Sequence, residues 1–483
     1  MTNSASSARI QGDDFQHLFA WHHALRLMLP EEGVSRVEVE SEGAGNVDDV
    51  VVRRPNHADE YYQVKFSVDA STPVSSAWLT AAKGSKGKSL LQRFAATWAL
   101  LSKQPGHVPE MALFTNKVHD PHDPILQLRD GRRGVVGPRL ALETAGSRAG
   151  QQRAQWAQHV GLTDGELLDV LHNLKFMTDR GSADELAIST GDRMRSLGLA
   201  ATDVDISTGV NAIRDWVKAG IREIDASLLS AELERCKLLG GPRYTTLLIE
   251  AIDHAPWPDA ASVRLDWVDL FEGTEPRART QLKDPSLWSG KLRPEMVRAA
   301  QTLKARNADR VVVRGYMRLP LWFLAGVELP ATRGHHVACT QLTHWWTSEA
   351  APAPYEINSV AVKLDQGRDL AIVLSVANPV TDDVIAYCRR SGVPVAQVID
   401  LRPTKGPGQK AIENNGEALG WAIAVRDALR TAIRDTGASR IHLFMSGPAG
   451  GALFLGHYWN RVAPTLVYEH LGGATYAPTF EVP

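Results

Sequence analysis

VDDVVVRRPNHADEYYQVKF, residues Val47–Phe66, holds two runs of strand-forming residues around a polar turn. The first run, Asp48–Val52, sets an acid pair ahead of three valines. The second carries Gln63 and Lys65 two positions apart. Side chains alternate faces along a strand, so Gln63 and Lys65 share a face. If the two runs pair, one carboxylate, one amide carbonyl and one ammonium meet on that face. A carboxylate and an amide oxygen are hard ligands suited to Mg²⁺, and a lysine beside them orients or activates water. This is a minimal kit for metal-assisted phosphodiester cleavage. The competing reading is a hairpin with solvated charged faces.

The flanks extend the pattern. Gly12–Pro30 is predicted as an amphipathic helix, with Phe15, Leu18, Phe19, Leu25, Met28 and Leu29 at helical spacing and Asp13 or Asp14 as N-cap. Val37–Glu40 (VEVE) reads as a strand whose two acids share a face, and Met111–Lys117 (MALFTNK) as a further core strand. Taken in order, GDDFQHLFAW, VEVE, NVDDVVV, EYYQVKF and ALFTNK resemble the PD-(D/E)xK nuclease superfamily. The nearest branch is the restriction-like nuclease fused to bacterial anti-phage SAVED domains. The resemblance implies that Asp49 is the metal-binding acid, Gln63 replaces the second acid and Lys65 is the catalytic lysine. It sets Gln16 where related nucleases carry Glu or Gln, and offers Glu40 as an extra metal carboxylate. Mg²⁺ is the implied cofactor and double-stranded DNA the implied substrate. The departure is Gln63 itself, because a neutral amide binds Mg²⁺ more weakly than a carboxylate.

Composition narrows the classes. A chain of 483 residues has room for two to four domains, each with its own core. Cys236, Cys339 and Cys388 are far apart and form no CxxC, which fits a reducing cytosol. No signal peptide, lipidation motif or bilayer-length apolar run is evident, so a cytoplasmic protein without a membrane partner is expected. With 53 basic and 55 acidic residues, a coat for non-specific DNA binding is excluded, and any DNA contact must be a local patch. Lys83, Lys86 and Lys88 in KGSKGKS are the candidate patch. That segment nearly matches a P-loop, but Ala82 stands at the first glycine position and a helix rather than a strand precedes it.

Residues 151–240 carry helical signals, and GGPR at Gly240–Arg243 is a plausible boundary. Beyond it the chain repeats itself. ADRVVVRGYMRLPLWFLAG (Ala308–Gly326) aligns with ASRIHLFMSGPAGGALFLG (Ala438–Gly456), every position 130 residues apart. Each copy is a β-branched strand, a loop and a small-residue helix, preceded by a candidate helix. Each half has an earlier strand, VRLDWVDLF (Val263–Phe271) in one and DLAIVLSVAN (Asp369–Asn378) in the other. Alternating strands and helices predict a doubly wound sheet in each half, with a pocket near a pseudo-twofold axis.

RGYMRLPLWFLAG, THWW, DLAIVLSV and IHLFMSGPAGGALFLG…VYEH resemble the SAVED domain, two fused CARF-like halves. Such domains sense cyclic oligonucleotides, with a cyclic trinucleotide the expected form here. Small residues in the Ser446, Gly447, Pro448, Ala449 loop let backbone N–H groups approach phosphate. The matching loop offers Arg314 and Arg318 for bidentate phosphate contact. Trp345 or Trp346 could stack on a base, against the plainer reading of tryptophan as core. Asn378, at the end of DLAIVLSVAN, completes the expected ligand set.

The fold class expected is α/β. A PD-(D/E)xK restriction-endonuclease-like core spans residues 1–150, and a helical lobe or connector 151–242. A sensor of two fused doubly wound (CARF/Rossmann-like) halves, about 243–360 and 361–483, completes the chain. The function expected is a cyclic-oligonucleotide-activated, Mg²⁺-dependent DNA endonuclease in CBASS defence that self-associates on ligand binding. The alternatives are a nucleotide sensor or scaffold with an inactive nuclease, and a restriction-type endonuclease without a messenger sensor.

Overall fold

A computed structural model describes residues 2–41, 45–82, 87–103, 108–130, 134–178, 182–255 and 261–483, with residues 2–10 as backbone only. The chain forms two compact units, Met1–Pro242 and Arg243–Pro483.

The first unit is built on a mixed six-stranded sheet: β1 (Arg36–Val39), β2 (Val50–Arg53), β3 (Glu60–Lys65), β4 (Glu110–Thr115), β5 (Leu174–Met177) and β6 (Glu223–Ile224). Their order across the sheet is β5-β4-β3-β2-β1-β6. The central pairs β1/β2 and β2/β3 are antiparallel, and β3/β4 and β4/β5 are parallel. Strand β3 is buried on both faces, and alternation explains how. Tyr61, with Met111 and Leu113 of β4, joins a core containing Phe94, Trp156 and Phe176. Tyr62 faces the other way, its ring 5.0 Å from that of Phe19, which also packs 4.5 Å from Phe114.

Phe19 belongs to the helix Thr2–Ala24, which continues as a 3₁₀ turn over Leu25–Met28. The helix starts well before Gly12, so Asp13 and Asp14 lie inside it and do not cap it; Asp14 pairs with Arg214. Its end is anchored by Arg26, a fully buried guanidinium. Arg26 donates to Glu60 at 2.6 and 3.1 Å and to Glu32 at 2.5 Å. Glu60 also accepts from Tyr62 Oη at 2.9 Å, so the charge pair is hydrogen-bonded on both sides, as a buried pair must be.

Residues 151–242 do not form the separate helical lobe that their pattern predicts. They do carry the helices Ala183–Ser196, Asp203–Lys218 and Ala226–Arg235. They also supply β5 and β6, the two edge strands of the sheet, and so belong to the first unit. A two-residue strand such as β6 carries no periodic signal, so pattern alone cannot show it.

The second unit holds two sheets. One contains β7 (Thr245–Glu250), β8 (Val263–Asp266), β9 (Arg310–Arg314), β10 (His336–Gln341) and β11 (His344–Thr347), in the order β11-β10-β9-β7-β8. The other contains β12 (Ile357–Lys363), β13 (Asp369–Ser375), β14 (Val395–Pro403), β15 (Ile441–Ser446), β16 (Thr465–Gly472) and β17 (Thr475–Val482), in the order β12-β14-β13-β15-β16-β17. In each, three consecutive parallel pairs end in an antiparallel hairpin strand, and the second sheet adds antiparallel β12 at its other edge. The equivalence is β7 with β13, β8 with β14, β9 with β15, β10 with β16 and β11 with β17. The earlier strands expected in the two halves are therefore not counterparts: Val263–Phe271 holds β8, the equivalent of β14, whereas Asp369–Asn378 holds β13. The counterpart of β13 is TTLLIE at Thr245–Glu250, which lies just past the glycine boundary.

The repeat sets the contact between halves. The helices Leu319–Glu328 and Ala449–His457 start 130 residues apart and pack on each other. A Cβ on Gly326 would overlap the Leu453 carbonyl, and one on Gly456 would overlap the Phe323 carbonyl. Phe323 and Leu453 are themselves 130 apart, so the contact is reciprocal, as across a twofold axis. One hydrophobic core runs from Leu247 to Val482 through both halves.

Gly456→Ala should destabilise the second unit by about 1–3 kcal/mol, because backbone cannot retreat as a side-chain tip can. Gly290→Ala, with open space around its Cβ, should change stability by less than about 0.5 kcal/mol. Urea unfolding of the two variants measures the difference.

Candidate functional site

The β2/β3 register runs Val50 opposite Tyr62 and Val51 opposite Tyr61, so Asp49 falls opposite Gln63. Asp49 Oδ2 accepts three hydrogen bonds: from Gln63 Nε2, from Val64 N at 2.7 Å and from Lys65 Nζ at 3.1 Å. Lys65 Nζ also donates to the Val64 carbonyl at 2.9 Å. Asp49, Gln63 and Lys65 are thus brought together, as the hairpin predicts. Gln63 is buried, and its carbonyl oxygen Oε1 has no hydrogen-bond partner. A half-turn of the amide exchanges Oε1 with Nε2 and presents that oxygen beside the Asp49 carboxylate. A buried, unpaired amide oxygen next to a partly exposed carboxylate fits a hard divalent cation such as Mg²⁺.

The neighbours divide. Asp48 is half-buried, and burial, then the adjacent Asp49 carboxylate, push its carboxyl above the usual aspartate range. Glu40 does not join Asp49. Its backbone is left-handed (φ 53°), which breaks the strand alternation, and its carboxylate pairs with Arg222. Glu38, expected to share its face, is buried and held by Arg53 at 2.7 and 2.9 Å and by Ser41 at 2.6 Å. Among the described residues, Glu40, Asp48 and Asp49 form no group close enough to hold one ion. Gln16 is half-buried beside Phe15, whose ring lies 5.0 Å from that of Phe66, and makes no hydrogen bond to Asp49, Gln63 or Lys65 among the described residues. Lys83 and Lys86 lie outside the described residues. Lys88 is exposed, one position before Ser89, which caps the helix Leu90–Leu101.

In the second unit, the proposed ligand loops meet at the carboxyl ends of the parallel strands, where doubly wound sheets bind ligands. The Ser446 carbonyl accepts from Val376 N at 2.8 Å and Ala377 N at 2.9 Å, and Ser446 Oγ from Asn378 N at 3.1 Å. The Tyr316 carbonyl accepts from Ala251 N at 2.9 Å and Ile252 N at 2.8 Å, the same arrangement in the other half. Asn378, Ser446, Gly447, Pro448 and Ala449 are therefore neighbours. Gly447, Pro448, Trp421 and Leu319 line a small open recess there. Arg318 is half-buried and donates to the Arg279 carbonyl at 2.9 and 3.2 Å; Arg314 is half-buried at the end of β9. Trp345 is half-buried, edge-on to Tyr244 at 5.4 Å. Trp346 is a correction: it is buried and stacked on Phe454, because side chains on β11 alternate and this one faces the core.

Two residues on this face lie outside the set expected from sequence. Val337 pairs with Val311, and Thr465 with Ile441, which makes Gln341 and Glu469 equivalent, four positions further on. Gln341 Oε1 accepts from Gly450 N at 3.0 Å, near the start of the helix Ala449–His457. The equivalent of Gly450 is Pro320, which has no N–H to offer. Glu469 is buried, with Oε2 lacking a hydrogen-bond partner. Burial pushes its carboxyl up to about 8, and the charge of Arg318 offsets this only in part. The repeat register, carried past the glycines, would have found both.

Three comparisons bear on the class. Residues 295–482 match the SMODS-associated and fused to various effectors sensor domain. The match lies wholly within the second unit. The whole chain is 23% identical to CD-NTase-associated protein 4 of Enterobacter hormaechei subsp. hoffmannii (strain UCI 50), over 98% of this chain and 99% of that protein. Among solved structures, the Acinetobacter baumannii Cap4 SAVED/CARF-domain containing receptor with the cyclic trinucleotide 2'3'3'-cAAA is 14% identical, covering 97% and 98% of the two chains (TM-score 0.44). The Moraxella osloensis Cap4 SAVED/CARF-domain containing receptor is 15% identical, covering 98% and 99% (TM-score 0.42). Among the described residues no helix is long and apolar enough to cross a membrane.

Unfolded, Glu469 titrates near 4.5; folded, it keeps its proton to about 8. Between those values the folded state binds the extra proton. Its contribution to stability is therefore full below about 4.5 and is lost as pH rises through about 8. Glu469→Gln should flatten the fall in stability between about pH 5 and pH 8. Urea midpoints of both proteins at the two pH values measure it, and an unchanged slope would mean that Glu469 titrates normally.

Proposed function

We propose that this chain is a cyclic-oligonucleotide-activated, metal-dependent endonuclease that cuts double-stranded DNA as an anti-phage effector of the CBASS type. The observation that carries the reading is the meeting of Asp49, Gln63 and Lys65 on one sheet face in a chain whose second unit matches the SAVED domain. The name of the Enterobacter relative, which ties it to a CD-NTase, supports the sensing half. A cyclic trinucleotide, the ligand bound to the Acinetobacter receptor, is the messenger to test first. The first unit is read as a PD-(D/E)xK restriction-like nuclease, with a mixed sheet and the site on its central hairpin.

Asp49 and Gln63 would hold Mg²⁺, which when bound supplies a Lewis acid at the scissile phosphate. The residues do the rest. Lys65, anchored between Asp49 and the Val64 carbonyl, orients the attacking water and offsets charge building on the phosphate. Water adds to phosphorus and the bond to the 3′ oxygen breaks; the leaving oxygen takes up one proton to become a 3′-hydroxyl, the other proton of the attacking water goes to solvent, and a 5′-phosphate remains. Lys88 and its neighbouring lysines would meet the DNA backbone. The near-neutral chain suits a switch, since one protomer binds DNA weakly and messenger-driven self-association raises avidity. A second reading, a sensor or scaffold with an inactive nuclease, draws on one observation: a neutral amide stands where a second acid would bind the metal.

Lys65→Ala and Asp49→Asn should each cut plasmid cleavage at least about a hundredfold while messenger binding is kept. Gln63→Glu should keep cleavage and Gln63→Ala lose it, because the carboxylate preserves the ligand oxygen. Full activity of Lys65→Ala would remove this centre from the mechanism. Wild-type protein without Mg²⁺-dependent cleavage at any messenger concentration would favour the scaffold. Cyclic trinucleotide should also raise the mass seen by light scattering, with activity climbing more steeply than protein concentration. A monomer that cuts in linear proportion would exclude assembly.

A further inference from the structure

Glu250 ends β7, and Asp266 ends the edge strand β8 directly opposite it in the parallel register. Two carboxylates facing each other across strands repel, so this pair needs positive charge between or beside it. Arg264 supplies one, holding Glu250 Oε2 at 2.6 Å and lying 3.6 Å from Asp266 Oδ2. The other oxygens each accept one backbone hydrogen bond, Glu250 Oε1 from Ala255 N at 2.5 Å and Asp266 Oδ1 from Val268 N at 3.4 Å, and both also approach His254. Glu250 Oε1 and Asp266 Oδ1 lie 3.7 and 3.8 Å from Nδ1 of His254. Glu250 is fully buried and the His254 side chain is 9% exposed. His254 Nδ1 is sealed from solvent and has no partner within hydrogen-bond distance. An imidazole nitrogen buried without a partner is costly unless something absent from the protein chain completes it.

We propose that Glu250, His254 and Asp266 bind a transition-metal ion of the zinc class at the edge of the first sheet of the second unit. One ligand atom from each lies within 4.8 Å of the others. Ligands around a four-coordinate ion with bonds of about 2.1 Å sit about 3.4 Å apart, so the two separations from His254 Nδ1, 3.7 and 3.8 Å, would each close by a few tenths of an ångström. A direct hydrogen bond would instead bring the imidazole to about 2.9 Å from one carboxylate. The donor set of one nitrogen and two carboxylate oxygens suits Zn²⁺ or Mn²⁺, whereas Mg²⁺ prefers oxygen alone. The ion would clip β8 to β7 and fix the loop that starts at Ala251. That loop hydrogen-bonds to Tyr316, in the segment equivalent to the Ser446 loop. The site shares no residue with Asp49, Gln63 and Lys65, so it stands apart from the nuclease reading.

The test uses the full chain, stripped with chelator and held in excess Mg²⁺. Zn²⁺ is then titrated against a chromophoric competitor, and thermal unfolding is followed in parallel. The expected result is one Zn²⁺ per wild-type chain with a raised melting temperature. His254→Ala and Asp266→Asn should each weaken binding roughly tenfold or more and abolish the melting shift. Asp266 lies on an edge strand and is partly exposed, so Asp266→Asn decides the matter if His254→Ala does not fold. Wild-type protein that takes up no Zn²⁺ at micromolar concentration, or an Asp266→Asn variant that binds as wild type does, overturns the site.

Discussion

The second unit depends on two helices that touch backbone to backbone. Gly326 meets the Leu453 carbonyl and Gly456 meets the Phe323 carbonyl, and a Cβ at either place would force the backbone opposite to shift. That approach brings two doubly wound sheets into one core and sets their carboxyl ends on a common pseudo-twofold face. The loops after β9 and β15, each pinned through a carbonyl to the loop after the neighbouring strand, follow from it. The two halves then diverge where the axis does not demand identity. Gln341 completes the start of one helix, whereas Pro320 leaves its counterpart nothing to complete, and Glu469 stands there beside Arg318 instead.

In the first unit the comparable constraint is register. A slip of one residue between β2 and β3 would turn Gln63 and Lys65 away from Asp49. Burial on both faces of β3 forbids that slip, since it would exchange Tyr61 with Tyr62 and strand the buried Arg26–Glu60 pair. The charge pair is thus a device of specificity as much as of stability. It fixes which face of β3 meets the helix Thr2–Ala24, and the site sits on the frame so fixed.

Much of this was legible in the chain. Alternation placed Gln63 and Lys65 on one face, and the β-branched run at Val50–Val52 gave the partner strand, because strand periodicity is a local property. The 130-residue offset located the paired helices, because the glycines that permit their contact are written as a repeat. Other features were not legible. Glu40 looked like a second site carboxylate, but its left-handed backbone and Arg222, far along the sequence, decide otherwise. Trp346 and Trp345 are adjacent letters, and only packing against Phe454 and Gly450 tells which is core.

The sequence by itself determined the boundary near Gly240, the hairpin that gathers Asp49, Gln63 and Lys65, and the internal repeat of the second half. These rest on period, spacing and repetition, which act between near neighbours or copies. The tertiary structure alone decided the edge strands β5 and β6, the equivalence of β7 with β13, and the meeting of Glu250, His254 and Asp266. Each depends on contacts between segments whose own patterns are too short or too polar to announce a partner. A two-residue strand, or a histidine in a loop, acquires its meaning only when burial removes the water that would otherwise satisfy it.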